Sequence, residues 1–154
     1  MPDTRRFHTH LLRRGRFSET GRIYLLTSVT HTREPVFTDF TSARLLIDEL
    51  RLVQQNGWAS SLAWVVMPDH LHWLVQLNDR MLADVMKRVK SNSSRRINRC
   101  LGRTGALWQD GFHDRAVRQD EDVVAMARYI LANPVRAGLV RRVGDYPFWD
   151  AAWL

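Results

Sequence analysis

The chain holds a single cysteine, Cys100, among 154 residues. No internal disulfide can form, and a reducing compartment is the expectation. No apolar run approaches the ~18 residues needed to cross a bilayer. The N-terminus is polar and arginine-rich and lacks an apolar core segment, so it does not read as a secretory signal. The expected location is the cytoplasm, in association with the nucleoid. No GxxxxGK[ST] loop occurs, which leaves no nucleoside triphosphate site of that kind. Internal repeats and low-complexity stretches are missing too. What remains is a chain with 45% hydrophobic and 25% charged residues, ordinary for one soluble globular domain able to bury its own core.

Negative charge is also scarce, and unevenly so. Lys and Arg number 23 against 16 Asp and Glu, a net +7. Residues 80–119 hold ten Lys/Arg and three Asp/Glu, which is +7 on their own, and the first 22 residues add six Arg against Asp3 and Glu19. Clustering of this kind is the electrostatic footprint of a nucleic-acid binder.

Residues 1–20 show neither helical nor strand period and read as a basic arm; residues 21–150 read as the single domain. Residues 21–31 are β-branched and apolar, a strand. Thr38-Asp39 offers an N-cap for a helix to about Asn56, with Leu45, Leu46, Leu50 and Val53 at helical spacing. Two apolar runs, 61–67 and 70–77, are joined by the turn dipeptide Pro68-Asp69 and predict a hairpin. A helix from about 81 to 99 carries a basic flank. A strand near 112–118 precedes a helix that opens at Asp120-Glu121-Asp122 and ends at Asn133-Pro134. The order predicts an α+β fold: a ferredoxin-like, RRM-like split βαβ antiparallel sheet with helices on one face. An extra C-terminal helix is left to cross the other face.

Alternation on the second hairpin strand turns Leu71, Trp73, Val75 and Leu77 one way and His70, His72, Leu74 and Gln76 the other. His70 and His72, at i and i+2, have Cα atoms about 6.5–7 Å apart and can converge on one cation. The last helix carries Tyr129 and, four residues on, Asn133 on the same face. An amide oxygen suits Mg²⁺ or Mn²⁺, so Asn133 is a candidate third ligand. These groups predict phosphodiester chemistry: the metal polarises the phosphate while Tyr129 attacks, leaving a phosphotyrosine and a free 3′-hydroxyl. Lys87, Arg88, Lys90, Arg95, Arg96, Arg115 and Arg118 are candidate phosphate contacts, and Trp108, Gln109 and Phe112 could stack on or read unpaired bases. Trp108 and Phe112 read equally well as core. His113 is an alternative ligand, and Tyr24 and Tyr146 are alternative nucleophiles, Tyr24 reading as sheet core and Tyr146 as part of a tail of low structure. Arg5, Arg6, Arg13, Arg14 and Arg16 of the arm are further DNA contacts.

Val66-Met67-Pro68-Asp69-His70-Leu71-His72 resembles the HUH motif (His, hydrophobic, His) of single-tyrosine transposases. The segment from Leu107 to Asp114, LWQDGFHD, looks like the tryptophan-glutamine stretch of their REP-associated branch. The segment from Arg128 to Val140, RYILANPVRAGLV, is similar to that branch's tyrosine-to-proline signature. The resemblance implies Mg²⁺- or Mn²⁺-dependent cleavage and joining of single-stranded DNA that carries short palindromic hairpins. It implies His70 and His72 as ligands and Tyr129 as nucleophile, with Asn133 where relatives carry a helix-borne polar ligand. The chain would act as a monomer or homodimer. Two other readings stand beside this one. The first is a non-catalytic hairpin binder on an RRM-like sheet, although such sheets display aromatics rather than histidines. The second is a metal-dependent hydrolase in which water attacks.

Overall fold

The computed structural model describes residues 21–118 and 121–153; the arm expected over 1–20 lies outside them. Strand β1 (Ile23–Val29) leads through two short 3-10 turns to helix α1 (Phe40–Gln55). The α1 N-cap is Asp39, whose carboxylate accepts from the Ser42 amide at 3.0 Å. Strands β2 (Ala59–Met67) and β3 (His70–Leu77) form the hairpin around Pro68-Asp69, with Met67 opposite His70. Helix α2 (Leu82–Leu101) stops at Gly102, whose φ of 65° supplies the left-handed turn. After β4 (His113–Ala116) come α3 (Val123–Leu131), a single-turn α4 (Asn133–Arg136) and β5 (Trp149–Ala151).

The sheet is antiparallel throughout, in the order β4-β1-β3-β2-β5. Helices α1 and α2 pack together, and the face of β3 bearing Leu71, Trp73, Val75 and Leu77 is buried to 1% exposure or less. At about 2 kcal/mol for each large apolar side chain removed from water, this face dominates the core. Helix α3 packs against β2. The α+β fold and helix placement are therefore those expected from the sequence.

Several local features differ. The face carrying His70 and His72 is only partly open, because Leu74 on that face is fully buried. A register shift between Ser61 and Ala63 changes the parity of β2. Ser61 thereby accepts the Trp73 indole N–H at 2.8 Å, while Trp64 still lies opposite Trp73. The last long helix begins later than Asp120-Glu121-Asp122 suggested: Asp122 is its N-cap, accepting from the Ala125 amide at 3.0 Å. It ends at Leu131, and Pro134 sits in the first turn of α4, where its missing N–H costs nothing. The tail is ordered as well. Trp149 pairs with Val65 and Ala151 with Ala63, so β5 adds a fifth strand. Tyr146 is buried, and its hydroxyl donates to the Val66 carbonyl at 2.5 Å. Burial pushes that phenol up to about 12, so Tyr146 is an anchor and not an alternative nucleophile. Tyr24 is fully buried core, as read from its strand.

Candidate active site

Antiparallel pairing places Thr27 of β1 opposite His72. The His72 Nδ1 lies 2.9 Å from Thr27 Oγ1. His70 Nδ1 lies 2.7 Å from Asp69 Oδ1, so the turn residue before the strand fixes the first imidazole. Asp69 is held in turn by Arg33, whose Nη1 donates to Oδ2 at 3.0 Å. Arg33 and Thr32 occupy left-handed backbone at φ of 54° and 55°, a sparsely populated conformation for such residues. Thr30 Oγ1 steadies that turn through the carbonyls of Glu34 and Asp69.

The two imidazoles meet edge to face with centroids 4.7 Å apart. Both Nδ1 atoms are engaged, which leaves the two Nε2 atoms as the remaining ring nitrogens. Burial, then the neighbouring His70 and Arg136 charges, pushes His72 down to about 4. The neutral imidazole is therefore the favoured form well below neutral pH. Burial alone would raise the Asp69 carboxyl, but hydrogen bonds from His70 and Arg33 outweigh it and hold the group below its usual range.

Helix α3 brings Tyr129 to the same place. A pocket of about 330 Å³ is lined by Thr27, His72, Arg115, Tyr129, Asn133 and Arg136, with Leu25, Met126 and Ile130 as its apolar wall. All belong to one chain. Tyr129 is 58% exposed, unusual for a large aromatic side chain packed on a domain. The Arg136 guanidinium sits 4.0 Å from the Tyr129 ring centroid, and its Nη2 donates to Asn133 Oδ1 at 2.7 Å. Asn133 thus reaches the pocket, with its amide oxygen engaged by a cation. Among the described residues no group of three or more His, Cys, Asp or Glu side chains is arranged to hold a metal. His113 is exposed and joins no such group.

The basic and aromatic candidates divide. Trp108 is 5% exposed, its indole donates to Ser93 Oγ at 3.0 Å, and its ring packs on Phe37. It is core, and stacking on a base would require unburying it. Phe112 packs against the same core, while Gln109 is exposed. Arg96 bonds Glu49, itself 2% exposed, at 2.8 Å and Asp48 at 3.5 Å, so it ties α2 to α1. Lys90 donates to the carbonyls of Gln109 and Gly111, fixing the loop before β4. Arg95 bonds Asn92; Arg115 and Arg118 pair with Glu121; Arg88 lies over Trp58. Lys87 is exposed on α2.

Sequence reasoning passed over Thr27, Asp69 and Arg136 as site residues. Asp69 adjoins His70, and carboxylate–histidine pairing is common behind ligands, so that signal was available. Arg136 follows Tyr129 by seven and Asn133 by three, a helical spacing that also was legible. Thr27 required the strand register.

Residues 20–133 match the family model described as "Transposase IS200 like". The chain is 32% identical over 144 residues to a protein of Haemophilus influenzae provisionally named a REP-associated tyrosine transposase, covering 83% of this chain and 78% of that one. It is 32% identical over 130 residues to the REP-associated tyrosine transposase of Escherichia coli strain K12, covering 83% and 74%. Its fold superposes on a REP-associated tyrosine transposase solved bound to a REP hairpin, with a TM-score of 0.72, 25% identity and coverage of 86% and 78%. A candidate transposase structure from Deinococcus radiodurans shares the fold at a TM-score of 0.54 and 24% identity, covering 75% and 93%. A ferredoxin-like sheet with paired histidines and a helix-borne tyrosine is the architecture of a DNA-processing transposase. The chain belongs to the IS200-like transposase family and, within it, to the REP-associated tyrosine transposases. No helix among the described residues is long and apolar enough to cross a membrane.

Proposed function

We propose that this protein cuts and rejoins single-stranded DNA carrying REP-like palindromic hairpins, with Tyr129 as nucleophile and His70 and His72 as ligands of a Mg²⁺ or Mn²⁺ ion. The observation that carries the reading is the shared pocket: Tyr129, His72, Asn133 and Arg136 line one cavity within one chain. The donor set fits a divalent metal. With Nδ1 of each imidazole turned to Thr27 or Asp69, a proton held on Nδ1 leaves the Nε2 lone pair to ligate, and Asn133 Oδ1 is a hard oxygen in the pocket that His72 lines. Bound there, the ion would act as a Lewis acid on the scissile phosphate.

The residues of the chain supply the rest. Tyr129 Oη attacks phosphorus and loses its proton to solvent, to which the side chain is open. The P–O3′ bond breaks, and the departing oxygen takes up a proton as a 3′-hydroxyl. The DNA 5′-phosphate is left on Tyr129, so the bond energy is retained for rejoining to another 3′-hydroxyl without nucleoside triphosphate. Exposed Lys87 and the arm arginines would add salt-sensitive phosphate contacts.

The test is a labelled single-stranded hairpin oligonucleotide incubated with Mn²⁺, followed by denaturing electrophoresis. Wild type is expected to form a denaturation-resistant adduct and Tyr129→Phe none. Cleavage that survives Tyr129→Phe would show that water attacks instead. Binding with neither cleavage nor metal dependence would identify a hairpin-binding protein.

A further inference from the structure

Arg136 stands in an awkward place for a site that takes a cation. Its guanidinium lines the same pocket as His72, covers the Tyr129 ring at 4.0 Å and donates at 2.7 Å to Asn133 Oδ1. It has no carboxylate partner among the described residues. A divalent ion at His70 and His72 would therefore meet a positive charge and find its oxygen donor already accepting from a cation.

A planar guanidinium is also the side chain best shaped to grip a phosphodiester through two parallel N–H groups. Both facts have one resolution, which rests on the metal-and-tyrosine reading above. We propose that Arg136 binds the scissile phosphate, and that without DNA it is parked on Asn133 and Tyr129, where it disfavours the metal. An arriving phosphate draws the guanidinium away and neutralises it, releasing Asn133 Oδ1 toward the ion and uncovering the phenol. Metal and DNA then favour each other's binding, by the same factor in either direction. The DNA-free protein is kept from loading metal against an unoccupied nucleophile.

The spacing supports this assignment. Tyr129, Asn133 and Arg136 fall at i, i+4 and i+7 along consecutive helices α3 and α4, so one face presents all three to the pocket. Arg136 is exposed, so its replacement leaves the core intact.

The experiment measures Mn²⁺ binding to the full chain by electron paramagnetic resonance, with and without a single-stranded hairpin oligonucleotide. Wild type, Arg136→Gln, Arg136→Lys and His72→Ala are compared. Arg136→Gln should bind Mn²⁺ about tenfold more tightly than wild type in the absence of DNA, the order expected when one charge several ångströms from a dication is removed. The oligonucleotide should raise Mn²⁺ affinity in wild type and raise it about tenfold less in Arg136→Gln. Arg136→Lys keeps the charge and should stay close to wild type without DNA. Equal or weaker Mn²⁺ binding by DNA-free Arg136→Gln, with His72-dependent binding intact in wild type, would overturn the parking of Arg136 alone. Absence of any His72-dependent Mn²⁺ binding, with or without oligonucleotide, would overturn the metal reading and this inference together.

Discussion

His72 makes the folded protein sensitive to acid in a window that can be worked out. Its folded-state value of about 4 lies below the 6.5 of a solvated imidazole, because the ring is largely desolvated and lies beside His70 and Arg136. The unfolded chain therefore binds a proton that the folded chain refuses between these two values. Stability rises with pH wherever the unfolded state holds more protons, so this contribution is complete above pH 6.5 and is lost as pH falls. At about 1.4 kcal/mol per pH unit, the loss is about 2 kcal/mol at pH 5 and levels off at about 3 kcal/mol below pH 4. Urea unfolding of wild type and His72→Gln at pH 7.5, 6, 5 and 4.5 isolates the effect, since other titrations cancel in the difference. The wild-type midpoint should fall more steeply with acid, and the two proteins should converge in stability or cross. Parallel curves would refute the claim that folding keeps His72 neutral, and with it the claim that the ring stands ready as a ligand.

Arg96→Ala should destabilise the fold by about 3 kcal/mol, at the low end for a broken buried pair because Arg96 itself is partly exposed. The same change should leave the salt dependence of hairpin binding unaltered, whereas Lys87→Ala should reduce the slope of log K against log salt by about one, with unchanged stability; filter binding and thermal melts separate the two. Tyr146→Phe leaves the buried Val66 carbonyl without its donor and should cost about 1–2 kcal/mol in urea unfolding, with no change in adduct formation at Tyr129.

The parts of the site that were legible in the sequence share a physical reason. Strand alternation and helix period are local, so parity alone put His70 with His72 and spacing alone put Tyr129 with Asn133. Pro68-Asp69 reads as a turn because proline fixes a dihedral, whatever surrounds it. The register shift at Ser61–Ala63 leaves no comparable mark, since it is set by what each side chain meets on the neighbouring strand. Strand β5 was illegible for the same reason: three residues, Trp149–Ala151, are extended because Ala63 and Val65 offer them partners. Trp108 shows the limit from the other side. Its sequence context suits a base-stacking residue or a core residue equally, and only the contacts with Ser93 and Phe37 decide for core. Arg96 is similar, because a basic helix flank does not announce that Glu49 waits on the facing helix.

Composition and local periodicity determined a basic α+β chain with a histidine pair on one strand face and a tyrosine on the last long helix. Those properties depend on residue type and near neighbours, which the sequence displays directly. Tertiary structure decided which side chains from distant segments share the pocket. It set Thr27 behind His72 across 45 residues, laid α3 over the sheet so that Tyr129 and His72 line one cavity, and turned Arg136 onto Asn133. Strand register and helix docking arise from the sum of many weak contacts over the whole chain, and no short window of sequence contains that sum.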